Sequence, residues 1–275
     1  MYLPEGSKEI AFTSPATGKS SSLTRVSLLA ARDVAVVYGG VRAVNGMSLD
    51  LAAGEALGLI GPNGAGKSSL LAALGGQVRL AGGSIALDGE EIGGLPAFKR
   101  ARRGITRTFQ MTSEFARMTV FENLVVAGHG AHGASLRTVV LRRRETRQAE
   151  REIARLAWSI LDRFEMSQAA DLYGAELSGG QHRLVEIMRC LMGEPTVLLL
   201  DEPMVGVAPH LVEKLIADLR SIQSDGIALV IVEHALEVVQ ELCGRVVVMA
   251  LGRPLASGTF EAVVSDPQVQ AAYVG

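Results

Sequence analysis

Only two cysteines occur in the 275 residues, Cys190 and Cys243, each alone in an apolar-periodic stretch. Without a paired spacing they read as small buried hydrophobes rather than a disulfide or a thiolate metal site, and they point to a reducing, cytoplasmic compartment. An N-terminus carrying Pro4, Glu5, Lys8 and Glu9 lacks the pattern of a secretory leader, which points the same way. Long apolar runs are missing too. Although 48% of the residues are hydrophobic, no uncharged apolar run reaches the roughly 18 residues needed to span a membrane, so partners rather than lipid are expected to cover the surplus. Net charge is also scarce: 27 basic residues face 29 acidic ones, which leaves no whole-molecule field to draw in nucleic acid.

The stretch that organises the chain is Gly61-Pro62-Asn63-Gly64-Ala65-Gly66-Lys67-Ser68. It satisfies the full phosphate-loop pattern of Gly, four residues, Gly, Lys and a hydroxyl. The glycines let backbone N–H groups turn inward around α/β-phosphates, Lys67 can reach the β/γ-phosphates, and the Ser68 hydroxyl can ligand Mg²⁺. Ala56 to Ile60 is a short apolar strand entering the loop, and Ser68, Ser69 and the residues to Leu74 form the helix leaving it, its positive end aimed at the phosphates. Gly18-Lys19-Ser20 echoes the motif, but Thr13 stands where its first glycine is needed.

Around this loop the pattern changes along the chain. Residues 1–24, rich in Ser, Thr, Gly and Pro, read as a mobile tail. Val26 to Leu29, Val34 to Tyr38 and Met47 to Leu51 are β-type runs that suggest an antiparallel layer. Tyr38, just before Gly39-Gly40, could stack on a purine. Ser84 to Leu87 is a further strand, Leu95 to Arg103 a short basic helix, and Ile105 to Gln110 an alternating strand ending on an amide. Met111 to Tyr173 reads as helical, with a Gly/His-rich interruption from Gly128 to Gly133. There Ile153, Leu156, Ala157, Ile160, Leu161 and Phe164 recur at helical spacing, opposite a face carrying Arg144, Arg147, Arg151 and Arg155 that reads as solvated.

Leu177-Ser178-Gly179-Gly180-Gln181 then places a hydroxyl and two glycines before a periodic helix, a second anion-binding helix start. Val197 to Leu200 is a buried parallel-type strand ending in Asp201-Glu202, carboxylates too costly to bury as core filler. Asp201 suits Mg²⁺ and Glu202 suits a water. The strand Ile227 to Val232 ends in Glu233-His234, and His234 could reach a γ-phosphate.

From about Val26 to Gly275 the order of motifs resembles the ATP-binding subunits of ABC transporters. The resemblance implies an α/β P-loop NTPase core of ABC ATPase type over residues 25–275, with an antiparallel β layer and a helical subdomain inserted at about 111–173. It implies Tyr38 as the adenine-stacking aromatic, residues 61–69 and 178–181 as the nucleotide-binding groups, and Gln110 as the switch-loop glutamine near Mg²⁺. Asp201 would organise Mg²⁺ together with Ser68, Glu202 would be the catalytic base, and His234 the γ-phosphate sensor. Ser178 and Gly180 would act on the nucleotide of a second ATP-binding subunit, identical or different, so that ATP is hydrolysed between two chains facing head to tail. Integral membrane permeases would be the other partners, a solute-binding protein an indirect one, and the place the cytoplasmic face of the cell membrane.

Arg107-Thr108-Phe109-Gln110, Met118 to Leu124, the Arg-rich stretch near Arg142 and Ala272-Tyr273-Val274-Gly275 look like the branched-chain amino acid import branch. A lipid or lipopolysaccharide exporter ATPase, an ABC ATPase acting on nucleic acid or ribosomes, and a nucleotide-binding module without turnover are the other readings. The nucleic-acid reading wants a second cassette and a long coiled-coil insertion that the sequence does not carry, and Glu202 with His234 argues against the module without turnover. Ala208 departs from the family, standing where many cassettes carry an Asp that helps couple the two ATP sites.

Overall fold

A computed structural model describes residues 27–108, 115–132 and 143–274. The expected tail, Gln110 and Met111 lie outside the described residues, as does the Phe115 side chain. Two kinds of strand pattern give two sheets. Half-buried alternation marks β1 (Leu29–Tyr38), β2 (Val41–Leu51) and β4 (Gly82–Leu87), which with the short, exposed β5 (Glu90–Glu91) pair antiparallel in the order β2-β1-β4-β5. While Val26 lies outside the described residues, β1 runs unbroken from Leu29 into the run expected at Val34–Tyr38. Its inward set steps from Leu29 and Ala31 to Val34 and Val36 across Asp33, whose φ of 48° and local register shift mark a bulge.

Unbroken burial marks the second sheet. β3 (Ala56–Ile60), β7 (Val197–Asp201) and β8 (Ala228–Val232) have water on neither face, so they read as continuous hydrophobic runs. With β6 (Ile105–Arg107), β9 (Arg245–Ala250) and β10 (Arg253–Gly258) they give the order β10-β9-β3-β8-β7-β6, parallel throughout except at β10. Successive residues feed two cores. Leu57, Leu59, Val197 and Leu199 join a cluster with the antiparallel sheet, while Ala56, Ile60, Leu198 and Leu200 join one with the helices. Because β3, β6, β7 and β8 run the same way, their carboxyl ends emerge along one edge, where open α/β sheets bind ligands.

The helix α1 (Lys67–Leu74) leaves β3, and α2 (Ala97–Ala101) is shorter than the basic helix expected there. Between β6 and β7 lie α3 (Val120–His132), α4 (Arg143–Arg163) and α5 (Gly179–Leu191). Thr119 starts α3 through a reciprocal cap: its N–H donates to Glu122 Oε2 at 2.8 Å, and the Glu122 N–H donates to its hydroxyl at 3.2 Å. The interruption expected from Gly128 is absent, since α3 continues to His132. The glycine there serves contact rather than a turn: a Cβ on Gly128 would lie 2.9 Å from both Ile153 and Met192 side-chain carbons, so its bareness lets α3 close on α4 and α5. Of the expected apolar stripe of α4, Ile153, Ala157, Ile160, Leu161 and Phe164 are buried and Leu156 is half-buried; Arg147, Arg151 and Arg155 are exposed, and the Arg144 side chain lies outside the described residues. The chain ends in α6 (Pro209–Ser224), α7 (Leu236–Leu242), α8 (Phe260–Val264) and α9 (Pro267–Val274). Cys190 and Cys243 are buried as expected, and burial pushes both thiols up to about 12.

Candidate nucleotide site

The loop from Gly61 to Gly66 is held open by its backbone. Gly61 has φ 146° and a Cβ there would fall 2.1 Å from the Met249 carbonyl oxygen; Gly66 has φ 97° and a Cβ there would fall 2.2 Å from the Ala43 carbonyl oxygen. Only glycine fits either position. Gly252, in the turn between β9 and β10, donates its N–H to the Ala65 carbonyl at 3.0 Å and accepts from the Asn45 N–H at 2.7 Å, so both sheets clamp the loop. Lys67 is 6% exposed and donates to the carbonyls of Gly61 (2.7 Å) and Pro62 (3.0 Å). Burial pushes its ammonium down, while Glu202 and Asp201 pull it part of the way back.

The other parallel strands deliver the remaining groups. At the end of β7, Asp201 Oδ1 lies 3.3 Å from the Ser68 hydroxyl, and Oδ2 accepts from Arg107 Nη2 at 2.7 Å. Glu202 follows with φ 49°, left-handed backbone that a side chain rarely adopts; its N–H donates to the Val232 carbonyl at 2.9 Å. At the end of β8 the His234 Nε2 lies 3.0 Å from Glu202 Oε1. Lys67, Ser68, Asp201, Glu202 and His234 thus converge. The arrangement can hold an anion on loop amides and an ammonium, with a half-exposed carboxylate and an imidazole beside it.

Tyr38 is half-exposed at the tip of the β1–β2 hairpin, whose Ala43 touches the loop. Ser178 and Gly180 are not brought to Lys67. They line a separate, mostly apolar hollow with Phe164, Met166, Leu184 and Leu211. Ser178 caps α5: its N–H donates to Gln181 Oε1 at 2.9 Å, and the Gln181 N–H donates to its hydroxyl at 3.4 Å. Gly179 passes close to the loop after Glu202, since a Cβ there would be 2.5 Å from the Gly206 carbonyl oxygen.

Two neighbours of the site escaped the reading of the sequence. Arg107, quoted there only as part of a string, is the partner of Asp201; a cation at the carboxyl end of the strand next to β7 was the available signal. Arg100, on the helix expected only to be short and basic, is 1% exposed and binds the end of α1 through Ala73 and Leu74 carbonyls at 2.6 and 2.8 Å. Its burial had no signal in the local pattern.

Residues 44–205 match the family model described as ABC transporter, and residues 253–275 match that of the branched-chain amino acid ATP-binding cassette transporter. The chain is 38% identical over 239 residues to the high-affinity branched-chain amino acid transport ATP-binding protein BraF of Pseudomonas aeruginosa, covering 86% of this chain and 94% of that one. It is 37% identical over 253 residues to the lipopolysaccharide export system ATP-binding protein LptB of Haemophilus influenzae, covering 91% and 98%. Among solved structures, a nucleotide-free ATP-binding cassette from an ABC transporter superposes with a TM-score of 0.82 at 31% identity, over 90% of this chain and 99% of that one. With its phosphate loop and the carboxylates of β7 at one sheet edge, this chain belongs to the ABC transporter family as an ATP-binding cassette that hydrolyses ATP to drive transport.

Proposed function

We propose that the chain is the ATPase subunit of an importer for branched-chain or other hydrophobic amino acids, working as a head-to-tail dimer beneath membrane permeases. The observation that carries this reading is the match of residues 253–275 to the branched-chain cassette family, beyond the shared nucleotide-binding core. The similarity to LptB favours a second reading, an exporter ATPase, at nearly the same identity. Among the described residues no helix is long and apolar enough to cross a membrane.

In the proposed site the loop amides and Lys67 bind the β- and γ-phosphates, and ATP exchanges for the Gly61 and Pro62 carbonyls on the Lys67 ammonium. Glu202 takes the proton of the attacking water, and His234 fixes the direction of that carboxylate. The pairing of the Ser68 hydroxyl with one oxygen of Asp201 is a hard-oxygen set that fits Mg²⁺, other positions being left for phosphate and water. When bound, the ion neutralises charge on the transferring phosphoryl group. Tyr38 stacks on the base, and Gln110 links the site to the permease. Ser178 and Gly180, apart from Lys67 in one chain, act on the nucleotide of the second subunit.

The permease is proposed to seat a short helix against the segment that contains Met118, half-buried just before α3. Val120 and Leu124 are core instead. The deciding experiment reconstitutes this chain with its permeases in proteoliposomes. Leucine uptake that requires ATP and is stimulated by a leucine-loaded binding protein supports the importer. Turnover stimulated by lipopolysaccharide without leucine uptake overturns it in favour of the exporter. Met118→Asp should leave basal turnover intact and release the chain from the vesicles.

A further inference from the structure

Glu233 stands between the two groups of the proposed hydrolytic centre, yet it faces no substrate. Its side chain is nearly sealed, the residue being 3% exposed, and among the described residues no cation pairs with it. Both of its oxygens are instead used on backbone. Oε1 accepts the Met204 N–H at 2.8 Å, two residues past Glu202, and Oε2 accepts the N–H of His234 at 3.0 Å. With the 3.0 Å contact between His234 Nε2 and Glu202 Oε1 the circuit closes: Glu202, Met204, Glu233, His234 and back to Glu202.

A buried carboxylate is costly unless its lone pairs are used, and charge-assisted bonds to N–H groups are the strong kind. The placement also meets a mechanical need. Glu202 sits at φ 49° in a conformation that persists only where its surroundings over-determine it; the segment that follows is held from α5 by Arg183 Nε on the Val205 carbonyl (3.1 Å) and, from the strand end just past β8, by Glu233 on the Met204 N–H. At its far end Ala208 supplies no side-chain cap to α6. Glu233 is thus the side chain that joins this loop to the strand end bearing His234, beside the backbone bond from Glu202 to Val232.

We propose that Glu233 is a positioning residue, a carboxylate brace that fixes the loop bearing Glu202 to the strand end bearing His234, so that base and imidazole keep one separation. This rests on the assignment of Glu202 and His234 in the proposed site. Glu233→Gln is the informative variant: it keeps the shape and one acceptor, but its amide nitrogen opposes an N–H donor. A displacement on the order of 1 Å at a reacting group costs about 10²-fold. In steady-state ATPase assays of the full chain, Glu233→Gln should lower kcat about 10- to 10²-fold with KM for ATP within about twofold, because the phosphate loop is untouched.

Two controls accompany it. Ile222→Val trims the buried core beneath α6 and should lower stability without changing kcat, so loss of kcat in Glu233→Gln at comparable melting temperature is not a folding effect. Glu202→Gln in the same assay tests the underlying site. If Glu202→Gln is inactive and Glu233→Gln turns over like wild type, the brace is refuted and the site stands. If Glu202→Gln retains full turnover, the site assignment itself fails, and the brace with it.

Discussion

Replacing Arg100 with leucine separates the support of the phosphate loop from its chemistry. The guanidinium donates from Nε to the Leu95 carbonyl (2.9 Å), from Nη1 to Ala73 and Leu74 (2.6 and 2.8 Å), and from Nη2 to Gly93 (2.8 Å). These are the last carbonyls of α1 and the loop before α2, and burial lowers the arginine's pKa while Glu91 opposes the shift. The Ala73 carbonyl has a second donor in the Gly76 N–H at 3.2 Å, so three carbonyls depend on Arg100. Each buried acceptor stripped of its donor costs about 1–3 kcal/mol, and water entry and the added methyl groups hold the sum toward the low end. A destabilisation of about 3–5 kcal/mol is expected, in line with breaking one side of a buried charged contact. Swapping a whole ionic network for apolar residues is often neutral, but here the backbone carbonyls stay. Urea unfolding monitored by circular dichroism measures the loss, and ATP at about 100 times its Kd should restore about 2.7 kcal/mol. Arg100→Lys should fall between, a single ammonium reaching fewer of the four acceptors. A loss below about 1 kcal/mol for Arg100→Leu would refute the capping argument.

Two further outcomes test the proposed chemistry. Glu202→Gln should lower turnover about 10²- to 10⁴-fold with ATP binding preserved, since the amide keeps its place beside His234 but takes no proton; an ATP-stabilised dimer in size-exclusion chromatography is the companion readout, and unchanged turnover removes Glu202 from its role. Ser178→Arg alone should bind ATP without hydrolysing it, and mixing it with Lys67→Ala protein should restore about one working site per mixed dimer. Failure of every mixture and co-expression to recover turnover would count against the shared site.

The sheet edge was legible because its signals are local and obligatory. The phosphate loop carries its own glycines, and the strand Val197–Asp201 announces itself as an apolar run closed by carboxylates. Burial on both faces and parallel pairing follow from that pattern, and parallelism alone brings Ser68, Asp201, Glu202 and His234 to one place. What stayed hidden depends on contacts distant in sequence. Gly128 looked like a break because glycine is a poor helix former; its value lies in the approach of Ile153 and Met192, which no window around residue 128 contains. The burial of Arg100 stayed hidden because its acceptors are backbone carbonyls, which carry no residue signature. The bulge at Asp33 split one strand into two runs since alternation changes phase there. Glu233 was passed over beside His234 for the same reason as Arg100: its partners are N–H groups of other segments.

The resting contacts of Lys67 have a consequence for a machine that empties its site on every cycle. The Lys67 ammonium donates to the Gly61 and Pro62 carbonyl oxygens of the loop that it serves. The cradle is therefore spanned from within, like an arch left on its centring, and has no reason to sag between one nucleotide and the next. Each incoming ATP meets the same opening as the last.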